Sequence, residues 1–446
     1  MSTEADTARP TDDLIHPSRI TATQWLILAL CFVAYVIDGF DIAVISFLAP
    51  AISEDWALPA EQLGLVFSAG VLGMTLGAMF LASLADIYGR RLVTTAMLVL
   101  AGVATLAAAS AQTVNQLVIL RLVSGLGLGA LVAALAPLVS EYSPRRHRTF
   151  ILAVVFSAGP LGPVIGGLMV APVVVEHGWR VIFTYAGIIT LIIAALMYLV
   201  IPESIAFLIK RRPDEALHKV NRILAYIRQR PISQLPTPQP GAVTESASVV
   251  SLLVRHRRTT TLLLWLTFFL AFATVYFLTS WLPQILTGVG FPQDQAILGA
   301  VLLAGGSVIG ATLVGWIARK RELNRVIATA FITGGLLVVS LAAMLRLDGS
   351  ALSGLIWITL LLVGITLFGG FTNLYTLAVS IYPAQVRSTG LGWAAGLGRG
   401  GAVVSPALAG MMIGWGVPSP ALFLIFAVPA LLAAGCALLV HMREMA

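Results

Sequence analysis

Two aspartates three residues apart, in the string Asp38-Gly39-Phe40-Asp41, lie inside an otherwise apolar run over residues 25–48. On a helix they share one face. A carboxylate at the centre of a membrane-crossing helix costs about 2.5–3.5 kcal/mol on insertion scales, so two on one span point to a role. A carboxyl group removed from water resists ionisation and titrates nearer neutral pH, which suits a proton carrier. The competing account is an ion pair with one of two arginines that also fall inside apolar runs, Arg121 and Arg399. An intramembrane arginine has to face a cavity or a partner. The two accounts are compatible, because a pair that opens when its acid is protonated is a coupling device. With both acids ionised the four deep charges cancel. Protonating one acid leaves a net positive cavity that holds a carboxylate better, so anion and proton favour each other's binding. Arg121 and Arg399 are therefore the candidate anion-binding residues, and Asp38 and Asp41 the candidate proton-coupling residues. Tyr35, Tyr276, Phe371, Asn373, Tyr375 and Trp393 are candidate aromatic and polar contacts for a planar ring. Ordinary interhelix or lipid packing accounts for each aromatic, taken singly, equally well.

The elements that must carry these residues are membrane helices. Of 446 residues, 58% are hydrophobic and 11% charged, with a mean hydropathy of +0.94. Soluble domains carry about a quarter charged residues. A span needs about 20 apolar residues. Apolar runs fall at 25–48, 61–84, 92–112, 115–140, 150–173 and 180–201, then at 260–287, 295–317, 325–345, 352–381, 388–414 and 419–441. The expected fold is an all-α membrane protein of twelve transmembrane helices in two six-helix bundles. It divides into a tail (1–24), a first bundle (25–201), a linker (202–259), a second bundle (260–441) and a short tail (442–446). The linker is expected to hold a short amphipathic helix, 214–229, followed by a proline-rich tether, 231–240. At an offset of 240 residues, Gly129, Ser140 and Tyr142 fall on Gly369, Ser380 and Tyr382, a faint trace of an internal repeat.

Basic residues orient the spans. With the N-terminus inside, 23 of the 27 lysines and arginines fall in cytoplasmic segments, and only Arg180 and Arg346 on the other side. By the positive-inside rule both termini are cytoplasmic. The same distribution removes the nucleic-acid reading that a net charge of +7 invites, since the charge is spread over loops on one side. The polar segment 1–23 has no basic region of a leader, so the first apolar run is expected to be retained. Cys31 and Cys436 both sit in apolar runs, so neither a disulfide framework nor a metal site is expected. The six histidines lie in loops, tails or span edges, and no nucleophile–base constellation can be assembled, so no enzyme is expected.

After the second run comes Leu84-Ala85-Asp86-Ile87-Tyr88-Gly89-Arg90-Arg91. A carboxylate at a helix end, a turn glycine and paired arginines make a latch that can break and re-form. This string resembles the loop 2–3 signature of the major facilitator superfamily, departing from it at Ala82 and Ile87. The corresponding loop 8–9 string, Gly315-Trp316-Ile317-Ala318-Arg319, lacks the acid. Glu141-Tyr142-Ser143-Pro144-Arg145-Arg146 and Pro202-Glu203-Ser204 resemble further superfamily features at the cytoplasmic face. The Gly125-Leu-Gly127-Leu-Gly129 string in the fourth run follows no strand, so it is read as close helix packing, not dinucleotide binding.

Asp38-Gly-Phe-Asp41, Tyr276-Phe-Leu-Thr-Ser-Trp281-Leu-Pro283 and the string from Tyr382-Pro383 through Arg387 and Gly390 to Trp393 and Arg399 resemble the aromatic acid:proton symporters across all twelve spans. The resemblance implies proton-coupled uptake of a small aromatic carboxylate such as a hydroxybenzoate or benzoate, by a cofactor-free monomer in the inner membrane. The partners it implies are a small organic acid, protons and membrane lipid. It also implies transport roles for Asp86, Gly89, Arg90, Glu141 and Arg387 at a cytoplasmic gate. Ala133-Ala134 stand where many such symporters have Pro-Asn, and Gly162-Pro163-Val-Ile-Gly166-Gly167 looks partly like the antiporter signature of drug exporters. The alternatives are therefore symport of another small organic anion, or proton-driven export. A transport-dead sensor on the same fold would need a signalling domain for which neither tail has room.

Overall fold

The computed structural model describes residues 20–236, 252–254, 257–347, 352–383 and 386–440. Among them there are helices and no strands. The first set comprises α1 (Ala22–Trp56), α2 (Ala60–Leu76, continued by a π turn, Gly77–Leu81), α3 (Leu84–Tyr88), α4 (Arg90–Ala108) and α5 (Val114–Tyr142). It continues with α6 (Arg148–Phe156), α7 (Ala158–His177) and α8 (Trp179–Val200). Two short helices follow, α9 (Ile205–Arg211) and α10 (Ala216–Tyr226). The second set comprises α11 (Arg258–Gly288), α12 (Gln293–Ala318), α13 (Leu323–Leu347) and α14 (Ser353–Val363), the last running through a π turn, Gly364–Phe368, into α15 (Gly369–Ile381). It ends with α16 (Arg387–Gly414) and α17 (Ser419–Leu439).

Among the described residues, eleven helical segments are long and apolar enough to cross a membrane. The twelfth segment of the fold, α16, has 28 residues, but its glycines and Arg399 dilute its hydropathy. The run expected at 150–173 is broken between α6 and α7 at Ser157. Pro160 supplies no N–H for the Phe156 carbonyl, which favours a break there. The run expected at 25–48 forms a longer helix, because the segment after Pro50 stays helical until Ala57 adopts a left-handed conformation. Local chemistry sets the starts: Thr21 and Gln24 form a reciprocal capping box on α1, and Thr113 caps α5. The amphipathic segment expected at 214–229 is helical over α10, burying Ala216, Val220, Ile223 and Leu224. Part of the proline-rich stretch, 237–240, lies outside the described residues, as do residues 1–19 and 441–446 of the two tails.

Each set packs mainly on itself. In the first, α1 lies on α7, and α5 lies between α2 and α4. In the second, α11 lies between α16 and α17, and α12 packs on the π turn and α15. The sets meet where α2 packs on α16, α7 on α12 and α1 on α11.

These contacts close one end of the molecule, the arginine-poor face at which α1 ends and α2 begins. There the Ala407 amide donates to the Ser68 hydroxyl at 3.1 Å, and the Gln293 side chain donates to the Phe47 carbonyl at 3.3 Å. The Trp281 indole meets the Phe67 ring edge-on at 5.3 Å. On the arginine-rich side of these contacts, Thr75, Ala78 and Met79 face α16 across a cavity of about 650 Å³.

Candidate functional site

Helix α1 delivers the two aspartates to different surroundings. Asp41 is turned into the first bundle. Its Oδ1 accepts from Arg121 Nη1 at 2.9 Å, Ser124 Oγ at 3.1 Å and Thr105 Oγ1 at 3.3 Å. Arg121 Nη2 also donates to the Asp41 backbone carbonyl at 2.7 Å. Acid and base are both almost fully buried. The charges therefore neutralise each other inside the bundle, and Arg121 lines neither of the two cavities between the sets.

Asp38 is also buried but lines a cavity of about 250 Å³ between α1, α7, α11, α12 and α15. Its Oδ1 has no hydrogen-bond partner among the described residues. A buried acceptor left without a partner is costly.

Close packing of α1 on α7 sets its position. A methyl group at Gly162 would overlap the backbone of Val36 and Phe40, and one at Gly39 would overlap the Gly159 carbonyl. The glycines of the fifth span thus let α7 approach the Asp38–Asp41 turn at backbone distance.

Arg399 lines the cavity of about 650 Å³, with Thr75, Met79, Tyr375 and Trp393 among its neighbours there. Its Nη1 donates to the Met74 carbonyl at a long 3.4 Å, and among the described residues no carboxylate lies within ion-pair distance.

One aromatic cluster touches both cavities. Phe272 stacks on Tyr276 at 5.7 Å and meets Phe371 edge-on at 4.7 Å, while Tyr375 meets Phe268 at 5.3 Å and Phe371 at 6.2 Å. Tyr35, Tyr276 and Phe371 line the smaller cavity, Tyr375 and Trp393 the larger. Asn373 lines neither; its amide donates to the Gly369 carbonyl at 2.9 Å and the Ala311 carbonyl at 3.2 Å, tying α15 to α12.

At the arginine-rich face, Arg90 pairs with Glu141 and stands 3.8 Å from Asp86. Gly89 turns the chain at φ +106°, a conformation that strains any residue with a Cβ. A Cβ at this position would overlap the Glu203 carboxylate, which accepts from the Arg90 amide at 2.8 Å and the Arg91 amide at 3.1 Å. Glu203 thereby caps α4 from another helix end, and Ser204 Oγ donates to Glu141 at 2.9 Å. The Tyr142 hydroxyl donates to the Glu203 carbonyl at 2.9 Å, closing the network. Arg387 stands apart from it, donating to the Tyr382 carbonyl at 3.1 Å.

Glu203 and Ser204 are recognisable in the sequence by their Pro-Glu-Ser string, but their partners are not. Thr105 and Ser124, which complete the Asp41 site, carry no sequence signal. No group of His, Cys, Asp and Glu that could hold a metal occurs among the described residues.

Around this arrangement of two helix sets, buried charges and intervening cavities, residues 31–406 match the family model of the Major Facilitator Superfamily. The chain belongs to that superfamily, whose members are transporters and not enzymes. Among curated proteins it is 34% identical to a gallate transporter of Pseudomonas putida, over 95% of this chain and 93% of that protein. It is 32% identical to a 4-hydroxybenzoate transporter of Pseudomonas aeruginosa, over 95% and 94%. Among solved structures, a D-xylose–proton symporter shares the fold with a TM-score of 0.72 at 15% identity, over 94% of this chain and 99% of that one.

Proposed function

We propose that the protein carries a small aromatic carboxylate, a hydroxybenzoate or benzoate, inward across the inner membrane together with protons, by alternating access. Both termini would be cytoplasmic, the two helix sets would be the two moving bundles, and the monomer would be the working unit. The observation that carries the reading is Arg399: a guanidinium with no carboxylate within ion-pair distance among the described residues, in a cavity of about 650 Å³ bordered by Tyr375 and Trp393. A ligand carboxylate would supply a counter-charge at hydrogen-bonding distance, and the aromatic cluster would take the ring. The names of the two relatives, gallate and 4-hydroxybenzoate transporters, agree with a ring of that size.

Asp38, buried and without a partner on Oδ1, is the group best placed to take the proton. Asp41 is held by Arg121 and would release it only in another state of the cycle. Because the two bundles touch at the arginine-poor face and face each other across a cavity on the arginine-rich side of these contacts, the state described would be the one open to the cytoplasm. Asp86, Gly89, Arg90 and Glu141 would then belong to a latch that re-forms against the second bundle when the transporter turns outward, with Arg387 contributing from that bundle.

The test is uptake of radiolabelled 4-hydroxybenzoate into proteoliposomes under an inward proton gradient. Gradient-dependent accumulation supports the reading, and folded protein without uptake of this or any other aromatic acid refutes it. The span-five glycines do not favour export, since packing α7 on α1 is a use for them in either direction.

A further inference from the structure

The smaller cavity contains three hydroxyl side chains from three different helices: Thr279 on α11, Ser307 on α12 and Thr372 on α15. Each hydroxyl hydrogen is already committed. Thr279 Oγ1 donates to the Val275 carbonyl at 2.9 Å, Ser307 Oγ to the Ala304 carbonyl at 2.7 Å, and Thr372 Oγ1 to the Phe368 carbonyl at 3.0 Å. A carbonyl oxygen cannot donate, so in each pair the hydroxyl must. A hydroxyl has one hydrogen and two lone pairs. In this arrangement what these three groups offer a ligand is acceptor capacity. Asp38, when ionised, adds a further acceptor with an unpartnered oxygen. Tyr35 and Tyr276 are the cavity's other polar groups and can act in either sense. The remaining lining is apolar, from Phe47, Val275, Leu303 and Phe371 among others.

Acceptors spread over an otherwise apolar wall call for a ligand that carries hydrogen-bond donors on a flat apolar body. We propose that Thr279 and Ser307, with Thr372 at the mouth, form a donor-reading subsite that selects aromatic acids bearing free ring hydroxyls over the bare ring and over its ethers. The assignment rests on the aromatic-carboxylate reading above, with Arg399 holding the acid end. A phenol placed here donates to Thr279 or Ser307. A methoxy group is of similar length but has no hydrogen to donate, and an unsubstituted ring covers the acceptors without satisfying them. A site built to pair with a ligand hydroxyl rejects the analogue that lacks it, because its own polar groups are then stranded.

The experiment is isothermal titration of the full-length protein in nanodiscs with four ligands: 4-hydroxybenzoate, 3,4-dihydroxybenzoate, 4-methoxybenzoate and benzoate. The two hydroxylated acids are expected to bind about tenfold or more tightly than the other two. In the double variant Thr279→Val/Ser307→Ala this preference collapses to within about twofold, the hydroxylated acids losing affinity and benzoate, which no longer strands the hydroxyls, losing none. A variant that elutes as a single monodisperse peak and keeps benzoate binding establishes that folding is not at issue; Ser307→Ala alone, the milder change, is expected to lose part of the preference. Equal binding of 4-hydroxybenzoate and 4-methoxybenzoate by the unaltered protein overturns the donor-reading subsite but leaves aromatic-acid binding standing. So does a preference that survives in a double variant that still folds. If none of the four ligands binds, the aromatic-acid reading falls, and the subsite with it.

Discussion

Arg121 grips Asp41 twice, through the carboxylate at 2.9 Å and through the backbone carbonyl at 2.7 Å, so the arginine on α5 holds both the side chain and the main chain of α1. Thr105 and Ser124 donate to the same carboxylate oxygen and lie 3.2 Å from each other, which leaves the acid well solvated by protein. Removing one partner of a buried, hydrogen-bonded ion pair strands the other charge and typically costs about 3–5 kcal/mol. Arg121→Ala and Asp41→Asn are therefore both expected to lower the thermal stability of the detergent-solubilised protein sharply; the asparagine oxygen still accepts, but it leaves the buried guanidinium without its counter-charge. Unfolding followed by size-exclusion fluorescence reads both. An Arg121→Ala protein as stable as the parent would show that the pair does not hold the bundle together.

The other deep arginine should behave in the opposite way. Arg399 stands in a cavity, its one described hydrogen bond being the 3.4 Å contact with the Met74 carbonyl. Little native bonding is lost with its side chain, so Arg399→Ala is expected to keep its melting temperature and lose aromatic-acid binding, and Arg399→Lys to recover it only in part, since an ammonium cannot form the bidentate fork. Parallel melting and binding measurements on the two alanine variants separate the roles. Normal ligand affinity in Arg399→Ala would remove the anion site from this residue.

The membrane helices and the deep charges were legible in the sequence because apolar length and an isolated charge are both local signals. Which charge meets which was not. Arg121 and Arg399 look alike as residues in apolar runs, and only the rotation of α5 against α1 separates a paired base from an open one. The faint repeat gains meaning in three dimensions. Gly129 of α5 packs against the Met74 backbone of α2, and Gly369 at the start of α15 packs against the Gly310 backbone of α12, so the matched glycines do the same work in each set. The hydroxyls around Asp41 and those in the smaller cavity stayed invisible, because serine and threonine are ordinary in membrane helices and their positions depend on three helices at once.

Glu203 illustrates a contact that sequence reading could not supply. Its carboxylate accepts from the amides of Arg90 and Arg91, the first residues of α4, although it lies more than a hundred positions away. A helix start capped by a side-chain acceptor is worth about 0.5–2 kcal/mol. In Glu203→Ala the amides of Arg90 and Arg91 are expected to exchange with deuterium several-fold faster, with the rest of α4 little changed. Unchanged protection of that first turn would mean that water replaces the carboxylate without loss.

The packing of α7 on α1 leaves no room for a side chain at Gly162. A Cβ there would overlap the backbone of Val36 and Phe40, which cannot move aside as a flexible side chain can. Overpacking of this kind typically costs about 1–3 kcal/mol. Gly162→Val is expected to lower the melting temperature and to weaken ligand binding together, because the displaced turn carries Asp38. If binding persisted at full strength in a destabilised protein, the α7 contact would support the fold without placing the site.

Asp38 and Asp41 sit three residues apart, yet Asp38 keeps a buried carboxylate oxygen, Oδ1, without a partner among the described residues, while Asp41 Oδ1 accepts from three donors. Asn matches Asp in shape and cannot carry a proton, so Asp38→Asn removes titration while leaving the cavity filled. A carrier that no longer needs a proton can still move substrate down its own gradient, but it cannot be driven uphill by protons, because coupling requires that proton and substrate change each other's binding. The expected result in proteoliposomes is that counterflow exchange of labelled 4-hydroxybenzoate persists, while accumulation under an inward proton gradient disappears. Accumulation surviving in Asp38→Asn would move the proton site elsewhere, and Asp41, released from Arg121 at some point in the cycle, would become the residue to test.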